Sequence, residues 1–186
     1  MARPVTIQTP LSEDSILQLK IGDRVLLNGV IMTARDAAHK RLIDLIQQGK
    51  ELPFDLAGSV IYYVGPAPAK PGMAVGSAGP TSSYRMDPYT PPLLERGLKG
   101  MIGKGQRGPE VVQSMKKNNA VYFAATGGAG ALLSKAIKAS EIIAYQDLGP
   151  EAIRKLIVAD FPVIVVNDCK GNDLYQAGRS QYETAS

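Results

Sequence analysis

The sequence predicts a single α/β domain in which a β-rich N-terminal layer is followed by an alternating β/α C-terminal part. Three observations lead to it. Apolar runs of strand length alternate with helical runs from Leu93 onward, the pattern of strands joined by helical crossovers. Before that point the strands Val5 to Gln8, Arg24 to Met32 and Ser59 to Val64 outnumber the helices. The 186 residues are 45% hydrophobic, and a chain of this size buries roughly 70% of its unfolded surface, enough for one core.

The elements follow in order. A strand at Val5 to Gln8 precedes Ser12, a helix cap, with Glu13 and Asp14 at the positive end of a short helix reaching Lys20. Gly22-Asp23 turns into the strand Arg24 to Met32, after which Thr33 is placed to cap a helix ending at Gly49. The strand Ser59 to Val64 leads into a loop rich in Gly, Pro and Ser. Then come a short helix to Gly97, a strand Lys99 to Ile102, a helix Pro109 to Asn118, a strand Ala120 to Ala125 and a helix Gly128 to Ala139. Strand Glu141 to Tyr145, helix Pro150 to Val158 and strand Val163 to Asn167 complete the alternation, with a largely parallel C-terminal sheet expected. The N-terminal strands are expected to form a second layer or a small barrel. One domain spans 1–186, with a core of about 10–170 and a polar tail at 171–186.

Composition narrows the chemistry. One cysteine, Cys169, forms no internal disulfide and supplies too few thiolates for a zinc or iron-sulphur site, so no metal is expected on this chain. The net charge of +4, from 21 Lys+Arg against 17 Asp+Glu, suits anionic small molecules as readily as nucleic acid. Aromatics are 6% and not interleaved with a basic stripe, which argues against a nucleic-acid partner. No run approaches the roughly 18 apolar residues of a membrane span, and no secretory leader pattern opens the chain, so a cytoplasmic location is expected.

Four segments carry candidate chemistry. Thr33 to Arg41, TARDAAHKR, places Arg35 and His39 four apart at a helix start. Cations there oppose the helix dipole unless an anion or carboxylate lies nearby. Two readings fit: an anion site, or Arg35 paired with an acid such as Asp36 and His39 satisfied in a partly buried position. The loop Gly76 to Asp87 combines small residues, three consecutive hydroxyls and Arg85. That composition suits an oxyanion and equally suits an ordinary turn. Lys99 to Gly108 holds Lys104 between two glycines at a predicted strand end. It lacks Walker spacing but is placed as an anion ligand, or as a solvated lysine in a turn. Thr126 to Ala131 begins like a dinucleotide fingerprint and then departs from it at Leu133, leaving backbone approach to an anion or close helix packing.

Together TARDAAHKR at 33–41, SAGPTSSYRMDPY at 77–89 and LKGMIGKG at 98–105, supported by VGPAPAKPG at 64–72 and ATGGAGALL at 125–133, resemble the beta subunit, or C-terminal domain, of the iron-sulphur hydro-lyases that include class I fumarate hydratase and L(+)-tartrate dehydratase. The resemblance covers about residues 10 to 180 and implies a swivelling β/β/α-like domain. It also implies a partner alpha subunit whose three cysteines hold a [4Fe-4S] cluster with one open iron, which acts as a Lewis acid on the hydroxy acid. Residue by residue, Arg35 and Arg85 match the family's substrate-carboxylate arginines and Lys104 a lysine of the same pocket. Thr81 matches the threonine acting on the C3 proton, and His39 a histidine taken as catalytic in the tartrate branch. Tyr84 departs from the pattern, since relatives often carry a small residue or methionine before the arginine.

The expected function is therefore a fumarate hydratase beta subunit, reversibly hydrating fumarate to (S)-malate within a hetero-oligomer such as α2β2. The alternatives are an L(+)-tartrate dehydratase beta subunit and a non-catalytic dicarboxylate-binding module. Independently of the resemblance, a C4 diacid carries two carboxylates and the chain offers three cations from three separate junctions.

Overall fold

The computed structural model describes residues 3–125 and 130–182. Its strands are β1 (Val5–Thr9), β2 (Arg24–Thr33), β3 (Val60–Tyr62), β4 (Gly100–Gly103), β5 (Val121–Ala124), β6 (Ile137–Ala144) and β7 (Ile153–Asn167). The helices are α1 (Glu13–Gln18), α2 (Asp36–Gln47), α3 (Thr90–Glu95), α4 (Pro109–Lys117), α5 (Gly130–Ala136) and α6 (Leu174–Tyr182), with 3-10 segments at Ser83–Tyr89 and Gln146–Glu151.

Strands β1 to β5 pair in sequence order and all in parallel. Strand β7 then runs antiparallel to both β5 and β2, which closes β2-β3-β4-β5-β7 into a five-stranded mixed barrel. Strands β1 and β6 extend it on the outer edges. The expected small barrel thus exists, but it is not an N-terminal unit beside a C-terminal layer: strands from both halves build one wall.

Alternating side chains explain how short strands hold this wall. Val60, Tyr62, Ile102, Val121 and Phe123 join one buried cluster with Phe161 and Val165. Their neighbours Ile61, Tyr63, Met101 and Tyr122 join a second cluster with Leu42, Met86, Leu93 and Met115 from the helices. β3 and β4 are buried at every position, as expected of parallel strands covered on both faces.

Three sequence expectations are corrected. The segment Pro150 to Val158 is not a helix, because β7 runs unbroken from Ile153 to Asn167. Ile153 and Leu156 are both buried and three apart, a helical spacing, and the period-2 pattern reappears with a change of phase around Asp160, whose φ is +51°. That bulge faces the register shift between Leu27 and Gly29, where Asp160 and Asn28 exchange hydrogen bonds. Thr33 does not cap α2; it ends β2, donates to Ala152 O and accepts from Arg154 N. The helix expected from Gly128 to Ala139 ends at Ala136, and β6 takes over from Ile137; its expected start lies within 126–129, outside the described residues. Within the polar tail, 174–182 form α6, with Leu174 against the core.

Ser12 does cap α1, accepting from Ser15 N at 3.2 Å. No helix of the described residues is long and apolar enough to cross a membrane.

Candidate active site

The parallel strands end on one side of the barrel, and the candidate residues sit at those ends. Arg35 follows β2 by two residues, Thr81 hangs from the chain beyond β3 through Thr81 N donating to Tyr63 O at 2.7 Å, and Lys104 follows β4 directly. Carboxyl ends of strands are where sheets of this kind hold ligands. Lys104 also forms a parallel bridge with Ser82, so the TSSYR loop and the GKG turn lie side by side.

The two arginines, fifty positions apart in sequence, meet at Asp36. Arg85 Nε donates to Asp36 Oδ1 at 2.9 Å, while Arg35 Nε lies 4.0 Å from Asp36 Oδ2. Arg35 also pairs with Glu151, Nη2 to Oε1 at 3.4 Å. Glu151 takes over the role expected of Thr33, because its Oε2 accepts from Ala37 N in the first turn of α2. The acid that the helix dipole demanded is therefore supplied by the chain from 114 residues away. Gly65 lets Arg35 pass: a Cβ there would lie 3.1 Å from Arg35 Nη1 and 3.2 Å from Pro150 O.

The loop carrying Thr81 and Arg85 is fastened by buried polar groups. The Ser83 hydroxyl accepts from Lys104 N at 3.1 Å and shares a 2.9 Å hydrogen bond with Tyr122 Oη, which itself donates to Gly105 O. Gly103 has no room for a side chain, since a Cβ would fall 1.9 Å from Ser83 Oγ. Below them Arg107, its side chain fully buried, donates to Asp87 Oδ1 at 2.7 Å, to Thr90 Oγ1 at 2.7 Å and to Tyr63 Oη at 3.2 Å. Its guanidinium also lies over the Tyr63 and Tyr122 rings. Burial works against this charge, but Tyr63 and Asp87 more than offset it and hold the pKa above its ordinary value.

His39 is placed differently from the cations. It is buried to 0% exposure, edge-on to Tyr63 with 5.3 Å between ring centroids. Its Nδ1 lies 2.9 Å from Arg35 O. A carbonyl only accepts, so Nδ1 carries the proton and Nε2 is left buried without a partner. Burial, the largest influence, lowers its pKa to about 4, so the ring is neutral near pH 7. Because the folded pKa lies below the unfolded 6.5, the unfolded chain takes up this proton first on acidification. Stability is lost as pH falls from about 6.5 to about 4, by about 3 kcal/mol for a shift of this size. In urea melts across that range, the advantage of wild type over His39→Asn should narrow; a constant difference would contradict a buried neutral histidine.

The other candidates are also located. Lys104 is exposed and Thr81 half-buried. Tyr84 is 67% exposed and borders a cavity with Asp87, Pro88 and Gly108 to Val111. Gly130 is a packing glycine, since a Cβ would fall 2.4 Å from Ser77 Oγ and 2.9 Å from Gly79 N. Arg107 and Glu151 were not among the sequence candidates, nor were the pairings of Asp87 with Arg107 and of Asp36 with Arg85. Only the two-glycine setting of Arg107 in GQRG offered a local signal.

Among the described residues no group of three or more His, Cys, Asp or Glu converges, and Cys169 is buried with Sγ 3.9 Å from Ile16 O. These residues do not fit an iron-sulphur cluster.

The fold and site define a barrel domain that gathers arginines and a lysine at the carboxyl ends of parallel strands. Residues 1–178 match the family described as Fumarase C-terminus. The chain belongs to this family, that of class I fumarate hydratase and tartrate dehydratase beta subunits, a hydro-lyase family. It is 40% identical over 176 residues, 92% of its own length, to the Escherichia coli protein named fumarate hydratase class I, anaerobic, covering 32% of that relative. It is 38% identical over 179 residues to a putative fumarate hydratase class I of Geobacillus stearothermophilus, covering 94% of this chain and 34% of the relative. The chain thus spans about a third of these relatives. It is also 38% identical over 172 residues to a putative L(+)-tartrate dehydratase subunit beta of Methanocaldococcus jannaschii, covering 89% of this chain and 88% of that one.

Proposed function

We propose that this chain is the beta-type half of a fumarate hydratase, gripping a C4 dicarboxylate while a partner alpha subunit holds the [4Fe-4S] cluster. The observation that carries the reading is the meeting of Arg35 and Arg85 on opposite oxygens of Asp36, with Lys104 bridged to the same loop. Such an arrangement positions two substrate carboxylates against fixed cations before any chemistry. Hydration then forms a C–O bond at C2 and a C–H bond at C3 of fumarate to give (S)-malate; in reverse the C3 proton leaves.

Thr81 is the group assigned to that proton. The residue is half-buried, and its chain is held beside the GKG turn by Thr81 N donating to Tyr63 O and by the bridge between Ser82 and Lys104. His39 is assigned to positioning: its burial and its bond to Arg35 O hold the start of α2. A hetero-oligomer of the α2β2 kind and a cytoplasmic setting belong to the same proposal.

A second reading, an L(+)-tartrate dehydratase beta subunit, is favoured by the relative of that name that aligns over most of both chains. The test is an anaerobic assay of fumarate hydration and L(+)-tartrate dehydration, with and without a co-purified cluster-bearing subunit. Fumarate turnover that needs the partner is expected. Faster tartrate turnover would move the assignment to the second reading, and no turnover with an intact cluster would leave a dicarboxylate-binding module.

A further inference from the structure

We infer that Asp36 is a positioning residue, which holds Arg85 by its Nε edge and so presents the terminal Nη1/Nη2 fork to a substrate carboxylate. The inference deepens the dicarboxylate reading and rests on it. Arg85 is a long side chain, 42% exposed, and such side chains lose rotamer freedom on binding unless something has already ordered them. Among the described residues its one hydrogen bond is Nε to Asp36 Oδ1 at 2.9 Å. A guanidinium held at Nε keeps its two terminal nitrogens free for a two-pronged, end-on contact.

The other half of the carboxylate points to the second arginine. Asp36 Oδ2 and Arg35 Nε are both buried without a hydrogen-bond partner, and they face each other at 4.0 Å. One carboxylate at the start of α2 therefore holds Arg85 by a hydrogen bond and lies at ion-pair range from Arg35, whose other partner is Glu151. Asp36 adds a negative charge that opposes an anionic substrate, so its benefit is geometric and its electrostatic effect is the reverse. The two effects have opposite signs in experiment.

The test uses Asp36→Ala, which removes both acceptor and charge, and Asp36→Asn, which keeps an acceptor oxygen for Arg85 Nε. Nitrogen-15 spectra of the arginine Nε–H groups are recorded on the full chain, and fumarate kinetics on the complex with its cluster-bearing partner. In wild type the Arg85 Nε–H signal, assigned by its loss in Arg85→Lys, should be slow to exchange with water. Asp36→Ala should release it and raise KM about tenfold or more, the scale of one charge-assisted hydrogen bond, with kcat within about threefold. Asp36→Asn should keep the signal and hold KM within about threefold of wild type. A merely structural role would lower kcat and thermal stability together without this split. A lower KM in Asp36→Ala would make Asp36 an electrostatic competitor and overturn the inference, as would an Arg85 signal indifferent to Asp36 or an Asp36→Asn variant as impaired as Asp36→Ala. Wild-type complex without turnover would count against the fumarate reading alone, because the spectra still decide whether Asp36 holds Arg85.

Discussion

Arg107→Ala is expected to destabilise the folded chain by about 3 kcal/mol or more, toward the range seen when one partner of a buried ion pair is removed. The side chain of Arg107 is fully buried, and that of Asp87 is 19% exposed. Without the guanidinium, Asp87 keeps only the Gly108 N–H, donated at 2.7 Å, and the hydroxyls of Tyr63 and Thr90 lose their donor. The partial access of Asp87 to water places the effect nearer the lower end of the range. Urea unfolding followed by circular dichroism measures it, and a loss below about 1 kcal/mol would show that Arg107 is dispensable to the fold. Arg107→Met combined with Asp87→Asn should recover part of the loss, since it removes both charges and refills the space. The consequence reaches the site because Asp87 belongs to the same 3-10 segment as Arg85.

Thr81→Ala should lower kcat for fumarate hydration by about 10²–10⁴, the span of a lost general acid or base, with little change in KM. His39→Asn should lower it less than about tenfold, because Asn can still donate to Arg35 O and the ring has no other hydrogen-bond partner. The readout is exchange of the C3 proton of (S)-malate with deuterated water by the complex. Loss of exchange in His39→Asn with retention in Thr81→Ala would reverse the assignment of the two residues.

The strand β2, the turn after it and the helix α2 before Gly49 were legible in the sequence because an apolar strand, a polar turn and a terminal glycine are local signals, whereas the group that satisfies the helix's first turn, Glu151, is not local. Lys104 at the end of β4 was legible for the same reason. Of β7 only Val163 to Asn167 was legible; its first half was not, because the burial pattern shifts phase at Asp160 and its partner β2 is brought to it only by barrel closure. The site was legible as a set of cations and not as an arrangement. Glu151 reaches Ala37 across 114 residues and Asp36 reaches Arg85 across 49, separations at which spacing carries no information about distance. His39 read equally as base or core residue, and burial against Tyr63 and Tyr89 is a tertiary fact.

Recognition of a dicarboxylate by Arg35 and Arg85 is tested by comparing kcat/KM for fumarate and for its monomethyl ester in the reconstituted complex. Taking the ratio of the two substrates cancels general losses of folding or cluster content. Wild type should favour the diacid by about 10² or more, as expected when a site built for a charged partner meets a neutral one, and Arg85→Ala should bring the ratio to within about tenfold of unity. A wild-type preference that survives intact in both Arg35→Ala and Arg85→Ala would contradict the account.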